Sequence, residues 1–267
     1  MKDLLIECAK AGGAVLREHF GHVTNVRTKE SLASVVTEAD LASERAIFDR
    51  LRARFPDHGR LGEESGFERG SADFVWVVDP LDGTSNFFAG LPWFGVMIAL
   101  LERARPVLAA LYLPLTDTLY TAEAGRGAFR DGAPIRVTEE PELAKLLIAY
   151  GMDASADAAK TRREADLLAR VVNRARNIRA TNSLVDFCYT ADGRLGGAIN
   201  QACKVWDIAA PWLVLREAGA EVTDLAGREL AFNLTDNPCG QVYPVLAAPP
   251  AIHRQLLDLT AGAHSMV

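Results

Sequence analysis

Hydrophobic positions recur at helical spacing at the start of the chain. Leu4, Leu5, Cys8, Ala11 and Val15 fall on one face, predicting a helix over residues 1–20 that Gly21 ends. Residues 23–27 read as a short strand and residues 28–31 as a polar loop. Residues 35–40 lead into a second helix, with Leu41, Ile47, Phe48, Leu51 and Phe55 on one face and Arg50, Arg52 and Arg54 on the other. Thr37 and Asp40 stand at the spacing of a capping pair, and residues 56–59 close the helix. A glycine-flanked loop with Glu63 and Glu64 follows, and then residues 74–78, an apolar and β-branched run expected to be a buried strand. That strand is expected to end at Asp79-Pro80, because proline cannot donate to a sheet ladder.

Strand-like segments then follow one another. Residues 94–101, 107–113 and 118–121 read as successive strands, and residues 130–132 as a hairpin turn before a strand at 135–137. The first half therefore predicts a broad, largely antiparallel sheet. Beyond residue 143 strand and helix alternate: a strand over 145–150, a helix over 156–173 with Ala159, Leu167, Leu168 and Val171 inward, and a buried helix over 184–189 that stops at Gly193. A further helix is placed to begin near Asp207, because Pro211 suits a first turn. Its apolar face includes Ile208, Trp212, Leu213 and Leu215, and Gly219 closes it. Strands over 221–223 and 241–248 and a helix over 250–260 complete an α+β pattern. Two halves, 1–140 and 141–267, are expected to form one compact unit.

Composition narrows the partners. A net charge of −6 without a Lys/Arg run argues against nucleic acid as the main ligand. No apolar stretch is long enough for a membrane span, and Lys2, Asp3, Glu7 and Lys10 interrupt any signal-like apolar core at the start. Cys8, Cys188, Cys203 and Cys239 are widely spaced, so they are expected to be reduced, mostly buried thiols of a cytoplasmic protein.

The candidate chemistry sits at the ends of these elements. Asp79 and Asp82 lie three residues apart at a strand mouth, followed by Gly83 and Thr84. Two carboxylates so close repel unless a proton or cation lies between them, and hard divalent cations favour carboxylate and carbonyl oxygen. An Asp-Gly turn after an edge strand is the plain alternative, as capping is for Asp40 and Asp207 and solvated charge for Glu63 and Glu64. Six acids at element ends, Asp40, Glu63, Glu64, Asp79, Asp82 and Asp207, instead suggest a shared cation cluster suited to phosphate chemistry. In that reading the amides of Gly83 and Thr84 receive an anion, and Thr84 with Asp40 hydrogen-bonds the attacking water.

At these residues the chain resembles the inositol monophosphatase family of lithium-sensitive, metal-dependent phosphomonoesterases. Trp76-Val-Val-Asp79-Pro-Leu81-Asp82-Gly83-Thr84-Ser-Asn-Phe87 matches one signature, and the run from Trp206-Asp207 to Gly219 and Asp224 matches the other. The Gly62-Glu63-Glu64-Ser65 and Val36-Thr37-Glu38-Ala39-Asp40 segments stand in the family's order. The resemblance implies a layered αβαβα sandwich of the inositol monophosphatase/fructose-1,6-bisphosphatase type, usually a homodimer, working with two or three Mg²⁺ ions. Glu63, Asp79 and the Leu81 carbonyl would hold one ion. Asp79, Asp82 and Asp207 would hold a second, with Glu63 facing a weaker third. Thr84 and Asp40 would activate water, Glu64 would support the ions' waters, and Asp82, Gly83, Thr84, Ser183, Asn200 and Asp207 would bind substrate. Lys29 lies where the family has a lysine in its active-site loop.

The expected activity is hydrolysis of inositol 1-phosphate or a similar small polyol phosphate. Histidinol phosphate, fructose 1,6-bisphosphate and 3′-phosphoadenosine phosphates remain open, as does a regulatory protein retaining the fold. Inositol-hydrolysing members carry a glutamate where this chain has Asn200, and the 181–186 segment also departs from the family pattern. Lys204 could face a further anionic group.

Overall fold

The computed structural model of the chain describes residues 1–22, 26–28 and 35–261. Lys29, with residues 29–31 of the expected loop and 23–25 of the expected first strand, lies outside the described residues. A small antiparallel pair, β1 (Val26–Thr28) and β2 (Val35–Thr37), precedes the two main sheets.

The larger sheet has eight strands. They are β3 (Gly59–Gly62), β4 (Gly66–Glu68), β5 (Phe74–Asp82), β6 (Gly95–Glu102), β7 (Arg105–Leu113), β8 (Thr118–Glu123), β9 (Ala128–Arg130) and β10 (Ala133–Pro134). Their spatial order is β10-β9-β8-β7-β6-β5-β3-β4, antiparallel throughout except where β3 runs parallel to β5. The second sheet comprises β11 (Leu147–Gly151), β12 (Asn177–Arg179), β13 (Gly197–Cys203), β14 (Glu221–Thr223) and β15 (Tyr243–Ala248), in the order β12-β11-β13-β15-β14.

Among the described residues, seven α-helices fill three layers around these sheets: α1 (Lys2–His19), α2 (Glu38–Arg54), α3 (Thr84–Phe88), α4 (Ala158–Val172), α5 (Leu184–Ala191), α6 (Val205–Glu217) and α7 (Pro250–Ala261). The side-chain alternation of β6 shows the layering. Val96, Ile98 and Leu100 enter a core shared with α1 and α2, whereas Met97, Ala99 and Leu101 enter the central core around α5 and α6. Along β13, Ala198 joins the central core and Ile199 packs beneath α4 and α7. Both sheets are therefore covered on both faces, which is why their strands read as continuous apolar runs. The result is the expected αβαβα sandwich.

Several boundaries differ from the sequence reading. The central strand does not stop at Asp79-Pro80. It continues to Asp82 through a bulge, since Asp79 pairs with Met97 but Asp82 with Gly95, and the extra residue accommodates a proline that cannot donate. Glu63 and Glu64 lie, as expected, between glycines: they occupy the tight hairpin turn between β3 and β4, where Gly62 pairs with Gly66. The strand expected at 135–137 is instead β10, which starts directly after Asp131 and Gly132, both with positive φ as a two-residue hairpin requires. Helix α6 begins at Val205, so Pro211 is inside it and leaves the Asp207 carbonyl without its helical donor.

The buried faces of the first two helices are also rotated. Leu4, Ala11 and Val15 are only half-buried on α1, whose inward face is Leu5, Cys8, Ala9, Gly12, Gly13 and Leu16. A Cβ on Gly13 would lie 2.4 Å from the Tyr112 ring, so α1 needs glycine to lie this close to the sheet. Leu41 is exposed on α2, and Asp40, Ser43 and Glu44 face inward beside Ile47, Phe48 and Leu51. Ala159 is likewise exposed on α4, and Glu164 occupies the inner face with Leu167 and Val171.

Candidate active site

The bulge at the end of β5 is the centre of the site. Ser43 on α2 donates to the Pro80 carbonyl at 2.8 Å, and the Leu81 amide donates to Asp79 Oδ1 at 3.1 Å. These bonds fix a backbone that proline and the extra residue have taken out of the ladder. Gly83, at φ +84°, then turns the chain into α3. An added Cβ there would lie 2.5 Å from the Trp93 carbonyl oxygen, so glycine is required for both conformation and space. Replacing Gly83 with alanine is expected to displace this turn, lowering kcat/KM by about tenfold or more while the melting temperature falls only a few degrees. Parallel steady-state and thermal melting measurements check this.

Three elements bring carboxylates to the turn. Asp79 and Asp82 come from β5, and Asp207 from the first turn of α6, where it also accepts from the Lys204 amide at 2.7 Å. One oxygen each from Asp79, Asp82 and Asp207 lie within 4.8 Å of one another. The Glu63 amide donates to the Val78 carbonyl at 3.3 Å, which sets Glu63 beside the same strand end. Behind it, Glu44 accepts from the Glu64 amide at 3.0 Å, and only a glycine at position 62 leaves room for that carboxylate. Thr84 Oγ1 lies 2.9 Å from the Leu81 carbonyl and 3.4 Å from Asp40 Oδ1.

Burial and mutual repulsion hold these acids in tension. Both push the carboxyls of Asp79 and Asp207 well above the usual carboxylate range. Burial also drives Asp82 from 3.8 to about 7, with the Leu184 amide hydrogen bond opposing the rise and the Glu63 charge adding to it. A cation supplied to this oxygen-only donor set removes the repulsion that protons otherwise relieve, so the residues fit a hard divalent metal. The sign of the stability effect follows. Without metal these groups bind more protons folded than unfolded, so stability falls as pH rises from about 4 through about 7. Thermal melts of chelator-treated protein are expected to show that fall, and a divalent cation should raise the melting temperature more at pH 8 than at pH 5. A metal-induced shift independent of pH would contradict the assignment.

The acids open into a cleft of about 830 Å³. Its lining includes Glu63, Glu64, Asp79, Leu81, Asp82, Gly83, Thr84, Ser183, Asn200, Lys204 and Asp207. Asp40 reaches the group through Thr84. Lys204 donates from Nζ to the Gly240 carbonyl at 3.2 Å. Asp153, Asn237 and Gly240 also line the cleft without having been singled out in the sequence. For Asp153 the usable signal was its place just beyond the C-terminal end of a parallel strand, where open α/β sheets form their crevices. The cysteines are free; Cys8, Cys188 and Cys203 are buried and Cys239 is half-buried.

Comparison with known proteins places this geometry. The model of the inositol monophosphatase family matches residues 1–263. Inositol monophosphatase 2 of Solanum lycopersicum is 37% identical over 247 residues, covering 87% of this chain and 89% of that one. A fructose-1,6-bisphosphatase/inositol-1-monophosphatase of Thermotoga maritima is 36% identical over 229 residues, covering 85% and 86%. Among solved structures, the extragenic suppressor protein suhB of Bartonella henselae superposes with a TM-score of 0.88 at 31% identity, over 99% of this chain and 98% of that one.

Proposed function

The chain belongs to the inositol monophosphatase family of metal-dependent phosphomonoester hydrolases, and from that premise we propose that it is a Mg²⁺-dependent phosphatase of inositol 1-phosphate or a similar small polyol phosphate. The observation that carries this reading is the convergence of Asp79, Asp82 and Asp207 oxygens at a bulged strand end beside Gly83. A protein that kept the fold only to bind partners would gain nothing from holding one buried and two half-buried acids in mutual repulsion.

In this mechanism Glu63, Asp79 and the Leu81 carbonyl would hold one ion. Asp79, Asp82 and Asp207 would hold a second, with Glu63 facing a third and Glu64 supporting the ions' waters. Bound Mg²⁺ would supply positive charge to the phosphate and the leaving alkoxide and would acidify water. The chain's own part is positioning. The amides of Gly83 and Thr84, at the tight turn, receive the phosphate oxygens. Thr84 Oγ1 accepts a hydrogen bond from the attacking water and turns its own proton to Asp40, the acceptor left once the Leu81 carbonyl is engaged. Asp82, Ser183, Asn200 and Asp207 surround the alcohol. An amide at position 200 both donates and accepts, so it can serve a hydroxyl without adding charge. Phosphate release from inositol 1-phosphate that needs Mg²⁺ and is inhibited by Li⁺ supports the reading; release indifferent to chelation overturns it.

A homodimer is part of the proposal. Phe88, Leu91 and Trp93, just beyond the site turn, are all exposed, and Asn86 ties this segment to the Thr181 carbonyl at 2.8 Å. Such an apolar patch suits a second copy of the chain. Sedimentation is expected to give a dimer that Trp93→Glu weakens; a monomer at micromolar concentration would contradict it. Among the described residues, no helix is long and apolar enough to cross a membrane.

A further inference from the structure

A second group of polar side chains lies in the same cleft, where the C-terminal end of β11 meets the middle of its parallel neighbour β13. Gly151 ends β11 and is paired with Asn200 of β13. An added Cβ at Gly151 would lie 2.7 Å from Asn200 Nδ2 and 2.9 Å from Asn182 Oδ1. The missing side chain is what allows those two amides to come together. Asn182 adopts a positive φ of 51°, held by its backbone N–H donating to Asp186 Oδ2 at 3.1 Å. From there its Nδ2 donates to Asp153 Oδ1 at 2.6 Å. Asn200 Oδ1 accepts from the Ala202 amide at 2.9 Å, which leaves its NH₂ group for the cleft.

Asp153 has no partner of opposite charge in this arrangement. Its hydrogen-bonding neighbour is a neutral amide, and no ion pair to it exists among the described residues. Lys204 is the only Lys, Arg or His among the described residues that line the cleft, and its Nζ is bonded to the Gly240 carbonyl. The Asp153 charge instead adds to the repulsion felt by Asp82 and Asp207. A carboxylate beside neutral amides, half-exposed in a cleft already rich in acids, gains most from a positively charged ligand group. A neutral hydroxyl offers a weaker, uncharged hydrogen bond.

We propose that Asp153 is a specificity-determining residue that binds an amino substituent on the alcohol portion of the phosphate ester, with the Asn182 and Asn200 amides flanking it. This rests on the phosphatase reading above and adds to it the class of alcohol: an amine-bearing one is preferred over its neutral counterpart.

The test uses the Mg²⁺-loaded full chain with matched ω-aminoalkyl and ω-hydroxyalkyl phosphates of increasing length. Within each pair only the charge at the far end differs. The wild type is expected to favour the amine by about tenfold or more in kcat/KM at the length that reaches Asp153. Asp153→Asn should abolish that preference, chiefly through KM, and Asp153→Glu should restore it at a shorter chain length. Equal rates within every pair, or a preference that survives Asp153→Asn, would overturn the proposal while leaving the phosphatase reading intact. Failure to hydrolyse any ester in the series while inositol 1-phosphate is cleaved would overturn this proposal alone, and failure on inositol 1-phosphate as well would overturn both.

Discussion

Asp79→Asn is expected to lower kcat/KM for phosphomonoester hydrolysis by about a thousandfold or more, and to make the metal-free protein more stable near pH 8. The two effects share one cause. Asp79 is 2% exposed, and its ionised form is opposed by burial and by the charges of Glu63, Asp82, Asp207 and Asp40. Asparagine keeps the oxygen that accepts from the Leu81 amide, so the bulge persists. The charge is lost, and with it both the repulsion and the grip on a cation. Removing electrostatic stabilisation of a reaction by even one well-placed group costs on the order of 10²–10³-fold, and loss of an ion shared by several groups costs more. Steady-state kinetics with melts at pH 8, with and without Mg²⁺, separate this from misfolding. A misfolded variant would lose both activity and stability. A variant retaining activity would remove Asp79 from the site.

The second large effect is expected at Thr84. Thr84→Ala should reduce kcat by about 10²–10³-fold with little change in KM, because the hydroxyl acts on the attacking water and not on the substrate. Thr84→Ser keeps the hydroxyl and should recover most of the rate. Thr84 is the first residue of α3 and does not enter the core, so the stability of either variant should change by less than about 1 kcal/mol. Thr84→Ala matching the wild type in kcat would assign water activation elsewhere.

Much of this was legible in the sequence because the determinants are local. The strand Phe74–Asp82 is apolar on both faces, and Trp76 and Val77 enter different cores. Such a run identifies a central strand even without its partners. Gly83 announces a turn because few other residues adopt its backbone conformation. The readings that failed depended on tertiary neighbours. Leu41 fits the helical stripe of α2 but is exposed, because that end of the helix faces the site and Asp40, Ser43 and Glu44 take the inward positions. Pro211 misplaced the start of α6, since the helix begins two residues before Asp207 and carries the proline in its interior, whereas the sequence alone had placed it in a first turn.

The site divides along the same line. Asp79, Asp82 and Thr84 are neighbours in sequence and were visible as a group. Glu63 approaches them through a parallel pairing of β3 with β5, whose four-residue Gly-Arg-Leu-Gly strand carries too little pattern to be seen in advance. Asp153 had only its place just beyond a strand end to mark it. Its importance depends on Gly151 standing opposite Asn200, a register between strands separated by two helices and a further strand, and no local signal encodes that.

The most direct test of the central claim is isothermal calorimetry of Mg²⁺ binding to the wild type and to Asp79→Asn, run beside phosphate release from inositol 1-phosphate over the same Mg²⁺ range. The wild type is expected to bind Mg²⁺ in the range where phosphate release rises, and Asp79→Asn to lose both together. Phosphate release that continues in the variant, or in the wild type without bound Mg²⁺, would contradict a metal-dependent site built on Asp79, Asp82 and Asp207.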